Sequence, residues 1–256
     1  MLIQSDVHSF LKNLGIKPSD TVVMHTSMKA LGEVEGGCDG LIDFFKSYLY
    51  DGLFVIPTHT WASVGHTVFE YDPKRSVPCI GALPTVAAFR PDGVRSLHPT
   101  HSVAAFGARA AEFVKGEEKS TSPCPVGGVW SRFYDEEAKI LLVGVGLNRN
   151  TYIHAIDELI DLPGRLTPSV HITIIDGENR YETDFRKHSS NTGSENFGVF
   201  ERPLAKLGAI KYSKLGEADV MCVDARKCTE IIKNLWAKAD YHLCKAEKDI
   251  PEEYYT

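Results

Sequence analysis

Residues 150–158 (NTYIHAIDE) place one imidazole and two carboxylates at the spacing of a helix face. Asp157 follows His154 by three residues and Glu158 by four, so the three side chains share that face. The helix is predicted to begin at an asparagine cap, position 148 or 150, and its positive end keeps the ring neutral. A carboxylate on the other ring nitrogen fixes the tautomer, so the pattern indicates a general base with an orienting acid. A histidine packed among ordinary neighbours is the structural alternative.

Residues 95–102 (RSLHPTHS) hold an arginine, two imidazoles and three hydroxyls around a rigid proline. Such groups suit the recognition of phosphates through charge-assisted hydrogen bonds. His98 and His101 have H-x-x-H spacing and are alternatively metal ligands, although that spacing outside a helix is weak evidence. A plain polar loop is the third interpretation, and the residues by themselves leave all three open.

Residues 25–28 (HTSM) stand where the first predicted strand ends, which is where ligands enter open α/β sheets. The alternative for His25 is a buried histidine held by a backbone hydrogen bond. The glycines at 144 and 146 lack the third glycine of a dinucleotide fingerprint, and neither a P-loop nor a G-x-S-x-G elbow occurs. Cys124 lies between two prolines, so a structural turn is favoured there over a nucleophile.

Hydrophobic periodicity predicts the elements that position these groups. A helix at 5–14, a strand at 21–25, a helix at 38–50 and a strand at 53–56 include a βαβ unit, with parallel strands expected. Residues 58–80 lack a clear period and are interpreted as a long functional loop. Further predictions are helices at 81–90 and 108–114, strands at 103–106 and 139–145, a hairpin of 170–175 with 181–185, and helices at 195–207 and 224–238 flanking a strand at 218–223. This alternation predicts a single α/β domain, residues 1–256, whose mixed sheet has helices on both faces.

Composition excludes several classes of protein. The six cysteines, at 38, 79, 124, 222, 228 and 244, form no C-x-x-C pair, which disfavours a disulfide framework and a structural zinc and favours a reducing cytosol. The N-terminus lacks the features of a signal peptide, and no apolar run is long enough to span a bilayer, so a cytoplasmic location is expected. The net charge of -6 arises without a run of like charge, so nucleic acid is not an expected partner.

The residues of these clusters and their order along the chain resemble those of the aminoglycoside 3-N-acetyltransferase family, also called the antibiotic N-acetyltransferase family. The matching blocks are residues 25–32 with glycines 36 and 37, 57–61 (PTHTW), 81–90, 95–107, Ser122 with Pro123, and 141–146 leading into Thr151-x-x-His154. They cover residues 5–165 approximately, and the remainder matches more loosely. Several ordered blocks are more specific than any one of them.

This resemblance implies a three-layer α/β/α sandwich around a mixed sheet, distinct from the fold of the common acetyltransferase superfamily. It implies acetyl-coenzyme A as co-substrate, no metal, and a ternary complex in which His154 deprotonates the attacking amine. Asp157 stands at the place of the acid in the family's H-x-x-E pattern and Glu158 follows it, so either one is a candidate to orient His154. The implied acceptor is the 3-amino group of the 2-deoxystreptamine ring of an aminoglycoside, an activity that confers antibiotic resistance.

Further roles follow from the same resemblance. His25 is expected to support the active site. The expected coenzyme contacts are Ser27, Met28, Arg95, Ser96, His98, Ser102, Ser122 and Thr151. Trp61, Tyr71 and Asp72, in or beside the 58–80 loop, are the candidate acceptor contacts. Hydroxyls or backbone amides near Ser27 or Thr151 are candidate donors to the negatively charged oxygen of the transition state.

Three alternatives stay open. The same chemistry can act on an amine that is not an aminoglycoside, because family likeness transfers reaction type more safely than acceptor identity. His98, His101, His154 and Glu158 can instead belong to a metal-dependent hydrolase. A degenerate member that binds ligands without turnover is the third. The oligomeric state is also open, with a homodimer among the options.

Overall fold

The computed structural model describes residues 1–189, 193–238 and 249–256. Over these residues the strands are β1 (Thr21–Thr26), β2 (Leu53–Pro57), β3 (Glu70–Tyr71), β4 (Val94–Arg95), β5 (Val103–Phe106), β6 (Lys139–Val143), β7 (Leu166–Asp176), β8 (Asn179–His188), β9 (Ile210–Leu215) and β10 (Ala218–Asp224). The α-helices are α1 (Gln4–Leu14), α2 (Met28–Leu31), α3 (Gly37–Tyr48), α4 (Ala82–Ala88), α5 (Ala110–Phe113), α6 (Val129–Asp135), α7 (Tyr152–Leu159), α8 (Glu201–Lys206) and α9 (Ala225–Lys238).

Seven strands form the main sheet in the order β4-β5-β2-β1-β6-β10-β9. β1 runs parallel to both β2 and β6, and the remaining neighbours are antiparallel. The predicted parallel βαβ unit, β1-α3-β2, and the mixed sheet are therefore both confirmed. Strands that are covered on both faces are apolar throughout, as the buried run of β6 shows.

Helices cover both faces of this sheet and make two separate cores. Val23 of β1 packs into a core with α6, α7 and α9, whereas its neighbours Val22 and Met24 pack into a core with α1 and α3. The alternation follows from the period of two along a strand. The result is the three-layer α/β/α arrangement that was expected.

The predicted hairpin forms a second, smaller sheet in the order β3-β7-β8. β7 and β8 are antiparallel and longer than predicted, and β3 pairs in parallel with β7. Tyr71 and Ile174 lie in a small core of their own with Val64, Ile172 and Phe185. The 58–80 loop thus contains a short strand that its sequence does not indicate.

Four further elements were not predicted, namely α2, β4, β9 and α6. β9 is an edge strand whose interior residues are mostly exposed, so it lacks the apolar alternation of a strand. α6 is seven residues long, too short for a clear helical period. The five described cysteines are free, and Cys244 lies outside the described residues. None of the described helices combines the length and apolarity needed to cross a membrane.

The parallel strands β1, β2 and β6 end at one edge of the main sheet, and this edge carries the site. Gly144, directly after β6, has a φ of +65°, and a Cβ there would lie 2.3 Å from the Cβ of Ala30. Only glycine lets the chain leave β6 so close to α2. The segments that follow β1 and β6 therefore lie side by side.

Candidate active site

A cavity of about 810 Å³ opens beyond the carboxyl ends of the parallel strands, as is usual in α/β proteins. Its walls include residues 24–29 at the end of β1 and just beyond it, Pro57 and His59 at and after the end of β2, and residues 148–151 after β6. Arg165, Lys187 and His188 close it from the side of the smaller sheet. The volume lies within the usual range for ligand sites.

Imidazole rings dominate the cavity wall. They belong to His25, His59, His66, His101, His154 and His188. The ring centroids of His59 and His101 are 4.6 Å apart, and those of His154 and His188 are 4.5 Å apart. Burial lowers the pKa of His25 to about 3 and holds the pKa of His154 well below its ordinary value, with nearby positive groups adding to the effect at His154. Both of these rings are therefore neutral at pH 7.

His154 lies in the first turn of α7 with 13 % of its side chain exposed. The helix start is held by Asn150, whose side-chain Oδ1 accepts from the amide of Tyr152 at 3.2 Å and whose carbonyl accepts from Ile153 at 3.1 Å. The predicted asparagine cap is therefore position 150. It places His154 at the positive end of the helix, where a neutral ring is favoured.

Arg165 is the direct partner of His154. Its guanidinium donates a hydrogen bond to Nδ1 of His154 and forms an ion pair with Asp157, at 3.2 Å from Nε to Oδ2. Asp157 Oδ2 is 3.9 Å from Nδ1 of His154, which is too far for a hydrogen bond. Burial raises the pKa of Asp157 to about 7, against the opposing effect of Arg165.

Glu158 is engaged elsewhere. It accepts hydrogen bonds from the hydroxyl of Ser122, from the amide of Cys124 at 2.9 Å and from Nε2 of His188 at 2.7 Å. Neither predicted carboxylate therefore holds His154 directly. This corrects the expectation that one of the two carboxylates contacts the His154 ring. Asp157 pairs with Arg165, and Glu158 binds residues of the 122–124 segment. Burial raises the pKa of Glu158.

His98 is part of the scaffold and not of the cavity wall. Its Nδ1 accepts from the amides of Thr100 at 3.2 Å and His101 at 2.9 Å, and its Nε2 donates to the carbonyl of Ser122 at 3.0 Å. Both ring nitrogens are thus occupied by backbone. This corrects the expectation of a coenzyme contact at His98 and leaves no lone pair on its ring for a metal.

The neighbouring polar residues of this segment also face inward. Arg95 donates to the carbonyls of Thr58, Pro73 and Ser76 and so fixes the 58–80 loop. Three other expected coenzyme contacts, Ser96, Ser102 and Ser122, also lie outside the cavity wall. The hydroxyl of Ser96 accepts from the amide of Val103, and that of Ser102 donates to the carbonyl of Thr58. The hydroxyl of Ser122 donates to the carboxylate of Glu158. The polar cluster at 95–102 thus cross-links loops, because its hydroxyls satisfy backbone groups that the folded chain buries.

Other predicted residues do line the cavity. Ser27, Met28 and Thr151 lie in its wall, and Trp61 stands at its rim with 45 % of its surface exposed. Tyr71 does not, because β3 carries it into the small core, where its hydroxyl donates to the carbonyl of Ser96 at 2.9 Å. Asp72 caps the turn that follows by accepting from the amide of Lys74. The acceptor contacts expected at Tyr71 and Asp72 are corrected accordingly.

Sequence reasoning missed Arg165 and His188. Both lie beyond the matched blocks, Arg165 just before β7 and His188 at the end of β8. No local pattern marks them, because they reach His154 only through the packing of the smaller sheet against α7. Glu195, in the 3-10 helix Ser194–Phe200, was also missed, because no local pattern marks it; it is the one carboxylate among the described residues that line the cavity.

The four residues considered for a metal-dependent hydrolase do not converge. Within the described ranges, the one group of three ligand atoms within 4.8 Å of one another is Cys124, Glu158 and His188. Glu158 is already saturated by hydrogen bonds in that group. Burial raises the pKa of the Cys124 thiol well above its ordinary value, so it stays protonated and is a poor ligand or nucleophile.

Comparison with known proteins identifies the family. The family model described as aminoglycoside 3-N-acetyltransferase matches residues 23–237. Aminoglycoside N(3)-acetyltransferase IX of Micromonospora chalcea is 25 % identical over 250 residues, covering 87 % of this chain and 89 % of its own. Aminoglycoside N(3)-acetyltransferase VII of Streptomyces paromomycinus is 27 % identical over 248 residues, covering 84 % of this chain and 85 % of its own.

The same fold occurs in a solved structure of AAC-IIIb in its binary complex with CoASH. The TM-score is 0.77 with 18 % identity, over 89 % of this chain and 93 % of that one. At this identity the likeness shows the fold alone. Because the family match spans most of the sequence, the chain belongs to the aminoglycoside 3-N-acetyltransferase family.

Proposed function

We propose that this enzyme transfers the acetyl group of acetyl-coenzyme A to the 3-amino group of an aminoglycoside, with His154 as general base. The observation that carries the assignment of the base is a neutral, partly exposed imidazole at the start of α7, in the wall of a cavity of about 810 Å³. The family membership supports the reaction type. His25 supports the site as a second neutral ring on the same wall, and its buried Nε2 has no partner among the described residues.

The reaction moves one proton and one acyl group. The amine nitrogen attacks the thioester carbon, its proton passes to His154, the C–S bond breaks, and the proton then returns to the thiolate of coenzyme A. A neutral imidazole is required at the start, because imidazolium cannot accept the proton. Burial and the helix N-terminus supply that condition.

The proposed role of His154 also depends on which of its ring nitrogens carries the proton. While Arg165 donates to Nδ1, the single proton of the neutral ring resides on Nε2. A base that acts through Nε2 needs a proton on Nδ1, and Oδ2 of Asp157, now 3.9 Å away, accepts that proton in a hydrogen bond only after moving closer. The role therefore requires Asp157 to replace Arg165 at Nδ1, while the ring releases its Nε2 proton to water and takes up a proton from water at Nδ1.

Coenzyme A is polyanionic, and the cavity offers cations for it. Lys29 and Arg149 are exposed in the cavity wall near Ser27 and Thr151. Lys187 lies in the part of the wall that the smaller sheet forms. These cations suit phosphate oxygens through charge-assisted hydrogen bonds. Ser27, Met28 and Thr151 remain the coenzyme contacts of this proposal, and Trp61 at the rim is its acceptor contact.

The test is thiol release from acetyl-coenzyme A with a panel of aminoglycosides, with the acetylated position assigned by NMR. We expect release with at least one aminoglycoside and acetylation at its 3-amino group. His154→Asn should remove activity, whereas the matched change His8→Asn, on α1 and remote from the cavity, should not. Release with none of the amines would refute the proposed function.

A further inference from the structure

Asn150 carries a side-chain amide that the fold uses only in part. The residue is 1 % exposed and lies in the cavity wall. Its Oδ1 accepts from the amide of Tyr152 and so caps α7. Its Nδ2 is buried and has no hydrogen-bond partner in the part of the chain that the structure describes.

The orientation of this amide is determined by its neighbour. Reversing the group would point its NH₂ at the N–H of Tyr152, so two donors would face each other. Oδ1 therefore stays on the helix cap, and Nδ2 is directed away from it. A buried donor without a partner is costly, and in native proteins such a group calls for a functional explanation.

The position of Asn150 supplies that explanation. It precedes His154 by four residues, about one helical turn, and both line the same cavity. The first amides of α7, an eight-residue helix, add the positive end of its dipole at this point. A carbonyl oxygen that gains negative charge would be stabilised here by both.

We propose that Nδ2 of Asn150 donates a hydrogen bond to the thioester carbonyl oxygen of the acyl donor, and that the bond strengthens as this oxygen becomes an oxyanion. The inference rests on the proposed acetyl transfer. As the amine forms its bond to the carbonyl carbon, the π electron pair moves to the oxygen. It returns when the C–S bond breaks, and the thiolate leaves. A donor already held in place stabilises that charge without reorganising.

Two variants separate this role from capping. Asn150→Asp keeps an oxygen for the amide of Tyr152 and removes the donor, and Asn150→Ser also caps a helix but introduces no charge. In both, we expect kcat to fall by ~100- to 1,000-fold, the loss typical of one oxyanion donor. The dissociation constant of coenzyme A, the KM of the amine and the melting temperature should change little. Asn13→Asp, which brings the same charge to an exposed position on α1 outside the cavity wall, should keep the wild-type kcat.

The outcomes divide clearly. Wild-type kcat in both Asn150 variants would overturn the inference and leave the proposed function intact. Weaker coenzyme A binding with unchanged kcat would also overturn it, because Nδ2 would then serve an amide of the coenzyme and not the reacting carbonyl. Absence of turnover in the wild type with every amine would remove the proposed function and this inference together.

Discussion

The guanidinium of Arg165 lies between His154 and Asp157, donating to Nδ1 of the ring and pairing with the carboxylate. All three side chains are largely buried. A permanent cation at this point helps to keep the imidazole neutral, and the carboxylate compensates the cation. This arrangement replaces the direct histidine–carboxylate contact that helical spacing predicts.

Removing one member of the Arg165–Asp157 pair should cost far more than removing both. Arg165→Met leaves a buried carboxylate without its cation, and we expect a loss of about 3–5 kcal/mol in the free energy of unfolding. The double variant with Asp157→Asn should recover much of that loss, because no charge is then left unpaired. Urea unfolding of the four proteins of this cycle measures the coupling. Equal stability of the single and double variants would show that the pair is not energetically coupled.

The charge of the cavity should set the preferred acceptor. Among its described lining residues, Glu195 is the one carboxylate, facing the basic residues Lys29, Arg149, Arg165 and Lys187. Because Lys29, Arg149 and Lys187 are assigned to the phosphates of coenzyme A, Glu195 is left to attract a cationic acceptor in the ternary complex. Glu195→Gln should raise the KM of a cationic amine about 5- to 10-fold with little change in kcat, and the exposed Glu112→Gln serves as the control. An unchanged KM in Glu195→Gln would contradict this expectation.

His98 should affect stability and not coenzyme binding. Its ring bridges two backbone amides of its own loop to the carbonyl of Ser122. We expect His98→Ala to lower the free energy of unfolding by about 2–4 kcal/mol, because buried backbone groups lose their partners. The affinity for coenzyme A, measured by calorimetry on the folded variant, should stay within about twofold. Weakened coenzyme binding at unchanged stability would restore the phosphate-binding interpretation.

Glu117 should make the protein less stable as the pH rises. It is 1 % exposed, its Oε1 accepts from the amide of Val129, and burial raises its pKa from an ordinary 4.5 to about 7. Between those values the folded state holds a proton that the unfolded state releases, so this contribution is complete below pH 4.5 and is lost as the pH approaches 7. The full effect is about 3 kcal/mol.

Glu117→Gln should flatten this dependence, because its amide oxygen still accepts from Val129 and does not titrate. Chemical unfolding at pH 5, 6, 7 and 8 compares the two proteins, with Glu112→Gln as the exposed control. Some slope should remain, because burial also raises the pKa of Asp157 to about 7. Parallel slopes in wild type and Glu117→Gln would mean that Glu117 is ionised throughout.

Local patterns predicted much of the framework. The βαβ unit, the strands of the main sheet except its edges, and the cap at Asn150 were all predicted from apolar runs and capping residues within short segments. His154 was singled out for the same reason, since a cap, a helix start and an imidazole lie within five residues. The edge strand β9 was not predicted because its mostly exposed interior lacks apolar alternation, although it pairs with the adjacent β10. The short strand β3 was not predicted because its two residues pair with the distant β7.

By itself, the sequence determined which ring stands at the start of α7 and which strands lead to it. Only the tertiary structure decided what surrounds that ring. Arg165 and His188 reach it because the smaller sheet packs beside α7, and the acids beside His154 turn away because stronger partners are near them. The unpaired amide of Asn150 became visible in the same way, since a missing partner can be recognised only when every neighbour is in place.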